Sequence, residues 1–270
     1  MAEDAPPDPG PLEPPPPPGE AAEPVPIAPP PPPRAVGGPS AGGPQSGPLT
    51  PVTADVNPLR ELLFADLPPA QARSVFANAG PAGAIILALA AAADRGDAAS
   101  ARAAIASAPA WNTDTRLHLQ AWSLARDAGV QPADGATDVL GVVVDMGLDD
   151  GLDTLAGFAD GSARYLNHSG SSIVWEVPDA AIGQLVRSLL ESAGIVVAMG
   201  GPLEGERIGP PPRGNTMISV LTRGGIYLGA GPIDVIGADP RGGPVIAAAT
   251  ALLQALVQRA DQANGAGRGR

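Results

Sequence analysis

The distribution of proline divides this chain before any other feature is considered. Residues 1–53 hold 20 of its 34 prolines, with unbroken runs at 14–18 and 29–33. Proline runs adopt polyproline II and lack backbone donors, and this segment has few large apolar side chains to offset the entropy cost of ordering. We therefore predict a disordered Pro-rich tail at 1–53, which leaves roughly 215 residues, enough to bury a core.

The tail supports two interpretations. It is either a solvated, semi-rigid spacer or a docking arm for a Pro-binding protein module. Arg34 directly follows the run at 29–33, and grooves that bind polyproline II often pair with such a basic residue. Both interpretations stay open at the level of sequence.

Composition restricts the chemistry that the chain can perform. All 16 basic residues are arginine, so no lysine can form a Schiff base or serve a phosphate loop. There is no cysteine, which excludes thiol nucleophiles, disulfides and thiolate metal sites. The net charge of -12 repels phosphate backbones, so we expect no nucleic-acid partner. The sequence has no cofactor-binding motif, and we expect neither a cofactor nor a resident metal.

Signals of export and membrane insertion are missing from the sequence. Its first residues, Met1–Asp4, are acidic, and no apolar segment follows them as in a secretory signal. The longest apolar run, at 82–93, is too short to span a bilayer. We expect a cytoplasmic protein without membrane contact.

Apolar residues recur at helical spacing from residue 56 to about 132. Helix-breaking and capping residues divide this stretch into four predicted helices, at 69–78, 82–94, 97–107 and 114–127. Asn112 or Thr113 is the expected N-cap of the last helix, and Gly129 is its expected stop. We predict an antiparallel helical array at 56–132.

The apolar period changes from 3.6 to 2 after a polar joint at 131–137, and Asp-Gly pairs then mark hairpin turns. The pattern predicts four strands, at 139–146, 152–159, 162–166 and 171–177. It continues with a helix at 178–193, a fifth strand at 195–199, a hairpin of 217–222 with 226–229, a Gly- and Pro-rich connection at 229–243 and a helix at 244–264.

These elements define a fold class. We predict an α+β protein in which the N-terminal helical array precedes a two-layer antiparallel meander with two helices, at 138–264. Residues 265–270 are predicted to be a disordered C-terminus.

Two segments of the second half resemble a known family. The first comprises Gly141–Gly147 leading into Leu152–Leu155, with Asp160–Tyr165 and Asn167–Gly170; the second comprises Gly229–Pro232 and Asp239–Val245. Together they resemble an uncharacterised family of bacterial proteins, over roughly residues 139–260. The resemblance implies a recurring domain of unknown function and supplies no catalytic residues.

An acidic cluster surrounds the first predicted hairpin turn, at Asp145, Asp149, Asp150 and Asp153. Asp149 and Asp150 fit ordinary turn chemistry, whereas Asp145 and Asp153 lie on the flanking strands and are candidate cross-strand neighbours. Like charges in that position would favour a divalent cation, although the spacing does not match an EF-hand. Turn chemistry and a cation site are the two hypotheses.

His168, in the predicted turn Asn167–Gly170, is the only histidine of the second half of the chain. It is a surface residue of a turn, a catalytic base or a ligand contact. In the catalytic interpretation it acts with Asp145 and Asp153, because a base needs an orienting carboxylate. His118 lies between leucines in a predicted helix, and we expect it to be a packing or surface residue.

Four residues are candidates for a binding face. Gly242 and Gly243 lead into the last predicted helix, where a Gly-rich backbone either holds an anion or forms a turn. Trp175 lies on a predicted strand and is either a core anchor or a binding residue. Tyr165, on the neighbouring predicted strand, completes this set.

Two classes of function are consistent with these observations. The first is a non-catalytic interaction or regulatory protein that binds a protein partner through the sheet, the helical array or the Pro-rich tail, with homodimerisation at a sheet edge as a further option. The second is a hydrolase-like enzyme, or a protein that binds a small ligand or metal, through His168 and the nearby acids. The shortage of titratable side chains favours the first class.

Overall fold

An antiparallel sheet of six strands forms the centre of the structure, a computed structural model that describes residues 58–108, 114–133 and 136–267. The strands are β1 (Gly141–Gly147), β2 (Leu152–Phe158), β3 (Ala163–Leu166), β4 (Ser172–Trp175), β5 (Asn215–Thr222) and β6 (Gly225–Pro232). Their order across the sheet is β4-β3-β2-β1-β5-β6, and every neighbouring pair is antiparallel. The two edges of the sheet are therefore β4 and β6.

The central strand β1 is paired with β2 on one side and β5 on the other. Asp145 lies opposite Thr154 of β2 and Met217 of β5, while Met146 lies opposite Asp153. Side chains alternate between the two faces of a strand, and directly opposite residues share a face. Asp145 and Asp153 therefore lie on opposite faces of the sheet.

Two long helices, α5 (Ala180–Ala198) and α7 (Gly242–Gly267), cover one face of the sheet. The Asp179 carboxylate caps α5 by accepting bonds from the N–H groups of Ala181 and Ile182. The core between helices and sheet is formed by apolar side chains from both layers: Val142, Val144, Leu155, Ile182, Val186, Leu189, Ile218, Val220, Val245, Leu252 and Leu256. This arrangement is the helix-on-sheet packing of an α+β protein.

The helical array covers the opposite face. It comprises a 3₁₀ segment (Pro58–Leu63), α1 (Pro69–Phe76), α2 (Gly80–Arg95), α3 (Ala98–Ser107) and α4 (Thr115–Asp127). Its own core is formed by small and branched apolar residues: Leu67, Ala72, Ile86, Leu89, Ala90, Ala121 and Leu124. A separate cluster joins the array to the sheet: Leu63, Phe64, Leu119, Val143, Ala156, Phe158 and Leu221.

The predicted α+β class is confirmed, with a helical array, an antiparallel meander and covering helices. At α4 the N-cap is Asp114, whose carboxylate accepts two backbone N–H bonds. The caps proposed for that helix, Asn112 and Thr113, lie outside the described residues. Gly129 follows α4 with a φ of 86°, as expected of a glycine that ends a helix.

The fifth strand predicted at 195–199 is not formed, because α5 continues to Ala198. The run Ile195–Val197 has the β-branched composition of a strand, but Ala193 and Val197 are four residues apart and both are buried on the helix face that meets the core. Gly194, which separates the predicted helix at 178–193 from the predicted strand, lies inside the helix, where glycine costs about 1 kcal/mol relative to alanine. Burial of the apolar face outweighs that cost.

The connection predicted at 229–243 is more regular than expected. Strand β6 continues to Pro232, a short helix α6 (Ile233–Ala238) follows, and α7 begins at Gly242, before its predicted start. The last turn of α7 reaches Gly267, so the helix includes the first residues of the segment predicted as a disordered C-terminus.

The described residues all lie within one compact unit, Pro48–Arg270. The division into domains at 56–132 and 138–264 stays a prediction, and the tail at 1–53 lies outside the described residues, as do residues 268–270.

Within the described ranges, one helix, α5, is long and apolar enough to cross a membrane by length and composition alone. Its apolar face packs against α7 and the sheet.

Candidate functional site

His168 and Asp153 form a hydrogen-bonded pair where β2 begins and β3 ends. The His168 Nδ1 atom lies 2.8 Å from Asp153 Oδ1, and the His168 backbone N–H donates to the same oxygen at 2.9 Å. Tyr165 Oη donates to Asp153 Oδ2 at 2.6 Å, and Asn167 Nδ2 lies 3.5 Å from that hydroxyl. The structure thus brings together three of the residues singled out in the sequence, His168, Asp153 and Tyr165.

The surroundings of Tyr165 in this cluster keep its phenol neutral. Burial, together with the hydrogen bond and the charge of Asp153, raises the pKa of Tyr165 to about 12. The phenol therefore remains a hydrogen-bond donor throughout the physiological range. The His168 side chain is 32% exposed, and its Nδ1 contacts Asp153, so Nε2 is the ring nitrogen that does not face the carboxylate.

The cluster contains one half of a catalytic arrangement, a histidine oriented by a carboxylate. A general base must also lie within hydrogen-bond distance of the group that it deprotonates. Among the described residues, no serine or threonine hydroxyl bonds to His168, and Ser169 Oγ lies instead 3.4 Å from Ser171 Oγ. The geometry therefore supports a well-ordered turn more strongly than nucleophilic catalysis.

Asp145 lies on the other face of the sheet, away from His168. Its side chain is fully buried, and both of its oxygens bind Arg60, with Nε 3.0 Å from Oδ1 and Nη2 2.5 Å from Oδ2. Thr154 Oγ1 donates to Asp145 Oδ1 at 2.6 Å. The expectation that Asp145 and Asp153 are cross-strand neighbours is therefore wrong, because the register offsets them by one residue.

Arg60 belongs to a larger ion network that joins the 3₁₀ segment to the loop before β5. Glu61 accepts bonds from Arg60 Nη1 at 2.9 Å and Arg207 Nη2 at 2.5 Å, and Arg207 Nε donates to Asp66 at 2.9 Å. Both guanidinium groups lie over the Phe64 ring, at 4.8 and 3.8 Å from its centroid. Burial opposes ionisation of Glu61, but the hydrogen bond and charge of Arg207, with those of Arg60, outweigh it and lower the pKa.

The two remaining acids of the predicted cluster lie at the exposed turn between β1 and β2. Asp149 forms an ion pair with Arg213, and Asp150 is exposed. Within residues 58–108, 114–133 and 136–267, no three histidine or acidic side chains converge in a way that could hold a metal ion. The cation hypothesis therefore lacks a set of ligands in the described chain.

Gly242 and Gly243 lie at the start of α7, but the backbone there is already satisfied. Asp239 Oδ1 accepts the N–H bonds of Arg241 at 2.8 Å and Gly242 at 3.1 Å, and the Asp239 carbonyl accepts that of Gly243 at 2.8 Å. The two bonds to Oδ1 lower the pKa of Asp239. A Cβ on Gly242 would lie 2.7 Å from Ile236 Cγ2, so glycine here lets α6 and α7 approach each other. The chain's own carboxylate occupies the place proposed for an external anion.

Trp175 lies on the edge strand β4, where it is partly buried against the core beneath α5 and α7. Its indole Nε1 is buried and has no hydrogen-bond partner among the residues that the structure describes. The position is that of a packing anchor more than of an open binding face.

The outer edge of β6 carries backbone groups that no described residue satisfies. The Ile226 carbonyl accepts a bond from the Leu203 N–H at 2.6 Å, which shows that Ile226 directs its polar groups away from β5. Because this direction alternates along an antiparallel strand, Leu228 and Ala230 also point outward. Neither residue has a partner on that side in the described chain, and Pro232, the next outward position, has no N–H.

A cavity of about 340 Å³, hereafter the β6 cavity, lies beside this edge between the end of α5, β6 and the start of α7. Its lining includes Val196, Ile218, Tyr227, Gly229, Ile236 and Arg241. A smaller cavity of about 200 Å³ lies between the 3₁₀ segment, α1 and α4, and a shallow groove follows the outer face of α7. His168 lines none of the three.

Sequence reasoning misses the residues of the β6 edge and cavity, apart from Gly242. The available signal is the alternation of Tyr227, Gly229 and Gly231, in which glycine replaces the apolar side chain expected at inward positions of a strand. Glycine inside a strand often marks a close approach or a space for a ligand.

No family model matches this chain, and neither a curated protein nor a solved structure matches it. The resemblance over residues 139–260 stays a prediction. The function must therefore be inferred from the geometry of the chain itself.

Proposed function

We propose that this chain is a non-catalytic binding protein that takes up an extended segment of a protein partner along the outer edge of β6. The observation that carries the proposal is the pair Leu228 and Ala230, whose outward N–H and C=O groups find no partner among the described residues. Extended peptides add to such edges because main-chain hydrogen bonds supply affinity and alternate side chains supply specificity.

The length of the open edge limits what can bind. Leu203 already occupies the position beside Ile226, and Pro232 ends the row of donors at the other end. The two open residues accept a partner segment of about three residues in extended conformation. A short edge of this kind favours a single added strand over open-ended sheet growth.

Exposed apolar side chains lie next to the open edge. Met199, which is 53% exposed, lines the β6 cavity beside Leu228, and Ile233 and Val235 follow directly after β6 with exposures of 38% and 57%. A partner segment with apolar side chains at alternate positions would cover part of this surface.

A hydrolase-like function is the second candidate, and the bond between His168 and Asp153 is the observation that favours it. An imidazole held by a carboxylate has the orientation of a general base. No serine or threonine hydroxyl among the described residues forms a hydrogen bond with His168, so we rank this function second.

The test of the edge interaction compares Ala230→Pro with Ala230→Val in the full-length protein. Proline removes the outward N–H of residue 230 and is tolerated at sheet edges, whereas valine keeps that N–H and suits a strand. We expect wild type and the valine variant to capture a stoichiometric partner from native lysate. Capture by the proline variant should fall roughly tenfold, with its thermal unfolding midpoint close to that of the valine variant.

Two further measurements identify the occupant. Deleting residues 1–53 separates the edge from the Pro-rich tail, because a partner lost on deletion but held by Ala230→Pro binds the tail and contradicts the proposal. Sedimentation velocity of the same variants detects a second copy of this chain as the occupant. Equal capture by the proline and valine variants would also contradict the edge interaction.

A further inference from the structure

The β6 cavity exists because glycine occupies inward positions of a strand. Tyr227, Gly229 and Gly231 share the face that α5 and α7 cover. A Cβ on Gly231 would already lie 3.3 Å from Ile236, so Gly229 is the glycine that leaves space for the cavity. Gly229 does not adopt a positive φ, and a Cβ built on it would have Val196 Cγ1 as its nearest neighbour, at 4.0 Å. The backbone therefore does not require glycine at this position, and a larger side chain would fit into the cavity.

Two polar side chains that line the cavity have no partner in the described chain. Tyr227 is only 6% exposed, and its hydroxyl forms no hydrogen bond with any described residue. The hydroxyl is not a buried atom, so it is accessible to a ligand and can donate a hydrogen bond to it. Arg241 is exposed at the rim of the cavity, and its guanidinium forms no ion pair or hydrogen bond within the described ranges, although its charge contributes to the lowered pKa of Asp239.

The rest of the lining is mainly apolar. Val196 at the end of α5, Ile218 of β5 and Ile236 of α6 contribute aliphatic side chains from three elements. Asp239 also lines the cavity, but its carboxylate is engaged in capping α7. An apolar space with an accessible tyrosine hydroxyl and an arginine at its rim is complementary to a molecule with an apolar body and a negative end.

We propose that the β6 cavity binds a small carboxylate with an acyl chain of medium length. The acyl chain contacts Val196, Ile218 and Ile236, and the carboxylate pairs with the Arg241 guanidinium and accepts the hydrogen bond of Tyr227. A volume of about 340 Å³ lies within the range of small-ligand sites. The inference does not rest on the proposed function, because it is argued from the cavity and the side chains of Tyr227 and Arg241, whereas the edge interaction is argued from the backbone groups of Leu228 and Ala230.

The first experiment titrates sodium octanoate into the full-length protein by isothermal calorimetry at neutral pH, with octylamine as the comparator of equal chain length and opposite charge. We expect octanoate to bind at one site and octylamine to bind at least roughly tenfold more weakly, since its ammonium group faces Arg241. Arg241→Gln should weaken octanoate binding by roughly tenfold while leaving octylamine binding unchanged or stronger.

Two variants that each add a leucine side chain, one inside the cavity and one outside it, locate the ligand. Gly229→Leu fills the cavity and should abolish octanoate binding without lowering the unfolding midpoint. Ala247→Leu adds the same side chain at an exposed position of α7 that does not line the cavity, and it should leave binding intact. Octanoate binding that survives both Gly229→Leu and Arg241→Gln would overturn the inference, as would equal binding of octylamine or no binding by wild type. Should Gly229→Leu fail to fold, Arg241→Gln and Tyr227→Phe decide the question.

Discussion

Asp145 and Asp153 belong to the same hairpin and are both buried, with exposures of 0% and 7%, yet they lie on opposite faces of the sheet. Asp145 is paired with Arg60, whose charge is permanent. Asp153 is paired with His168 and accepts a hydrogen bond from the neutral Tyr165. One residue type therefore has two different roles within a single hairpin.

The difference arises from what covers each face. Arg60 lies 85 residues before Asp145, so their pair connects the helical array to the central strand of the sheet. His168 lies 15 residues after Asp153, so their pair connects only neighbouring turns of the meander. A buried carboxylate needs a hydrogen-bonding or charged partner on either face of the sheet. Whether the partner comes from a distant or a neighbouring segment decides whether losing the pair destabilises the whole fold or one turn.

The largest effect is expected from Arg60→Met. Methionine leaves the Asp145 carboxylate buried without a cation, which typically costs about 3–5 kcal/mol in the free energy of unfolding. Urea unfolding at neutral pH measures this loss. The matched control is Arg73→Met, which removes an exposed ion pair with Asp94 and should cost less than about 1 kcal/mol.

A double variant separates the loss of pairing from the loss of packing. Arg60→Met combined with Asp145→Leu removes both charges and should recover most of the stability lost in the single variant. Similar stabilities for the two single variants, Arg60→Met and Arg73→Met, would show that the buried pair is no more important than a surface one and would remove the contrast between the two faces.

An intermediate effect is expected from Tyr165→Phe. The variant deletes a hydrogen bond to a carboxylate that is 7% exposed, and such bonds contribute about 1.5–3 kcal/mol. The control is Tyr227→Phe, which removes a hydroxyl without a partner in the described chain and should change the free energy of unfolding by less than about 0.5 kcal/mol. Equal losses in the two variants would contradict the assignment.

Titration gives a second measurement of the same contact. The chain has two tyrosines, so Tyr227→Phe leaves Tyr165 as the only one, and its absorbance after rapid pH jumps should change with a midpoint of about 12. Because the folded-state pKa is raised, the contribution of Tyr165 to stability is complete below pH of about 10 and is lost as the pH rises through about 12. Asp153→Asn should move the midpoint down toward 10.

Most of the fold is predictable from local pattern, and the exception is instructive. Short strand-like apolar segments separated by Asp-Gly and Asn- and Gly-containing turns locate β1 to β4, because strand pattern and turn chemistry are properties of short segments. The same reasoning wrongly predicts a strand at Ile195–Val197, because a short β-branched run is compatible with a buried helix turn as well as with a strand. Its helical state depends on packing of Val197 in the core, which no local pattern contains.

The candidate site is predictable as a set of residues but not as an arrangement. His168, Asp153 and Asp145 all attract attention in the sequence, yet a register offset of one residue decides which acid meets the histidine. Arg60 gives no signal, because its partner is distant along the chain. The sequence also gives no signal for the unpaired edge of β6, because the order of the strands across the sheet decides which strand lies at the edge.

The smallest effect on stability is expected from His168→Ala. This variant tests whether His168 has a catalytic role in addition to ordering the turn between β3 and β4. The substitution removes the ring contact with Asp153, but the backbone N–H of residue 168 keeps its own bond to Oδ1, so the loss should be only about 0.5–1.5 kcal/mol. Since the variant remains folded, hydrolysis of an activated ester such as p-nitrophenyl acetate can be compared directly with wild type. We expect the variant and wild type to hydrolyse the ester at equal rates, because no serine or threonine hydroxyl among the described residues forms a hydrogen bond with His168. A loss of roughly a hundredfold would instead identify a catalytic base and make the Asp153 pair, not the β6 edge, the functional centre of the molecule.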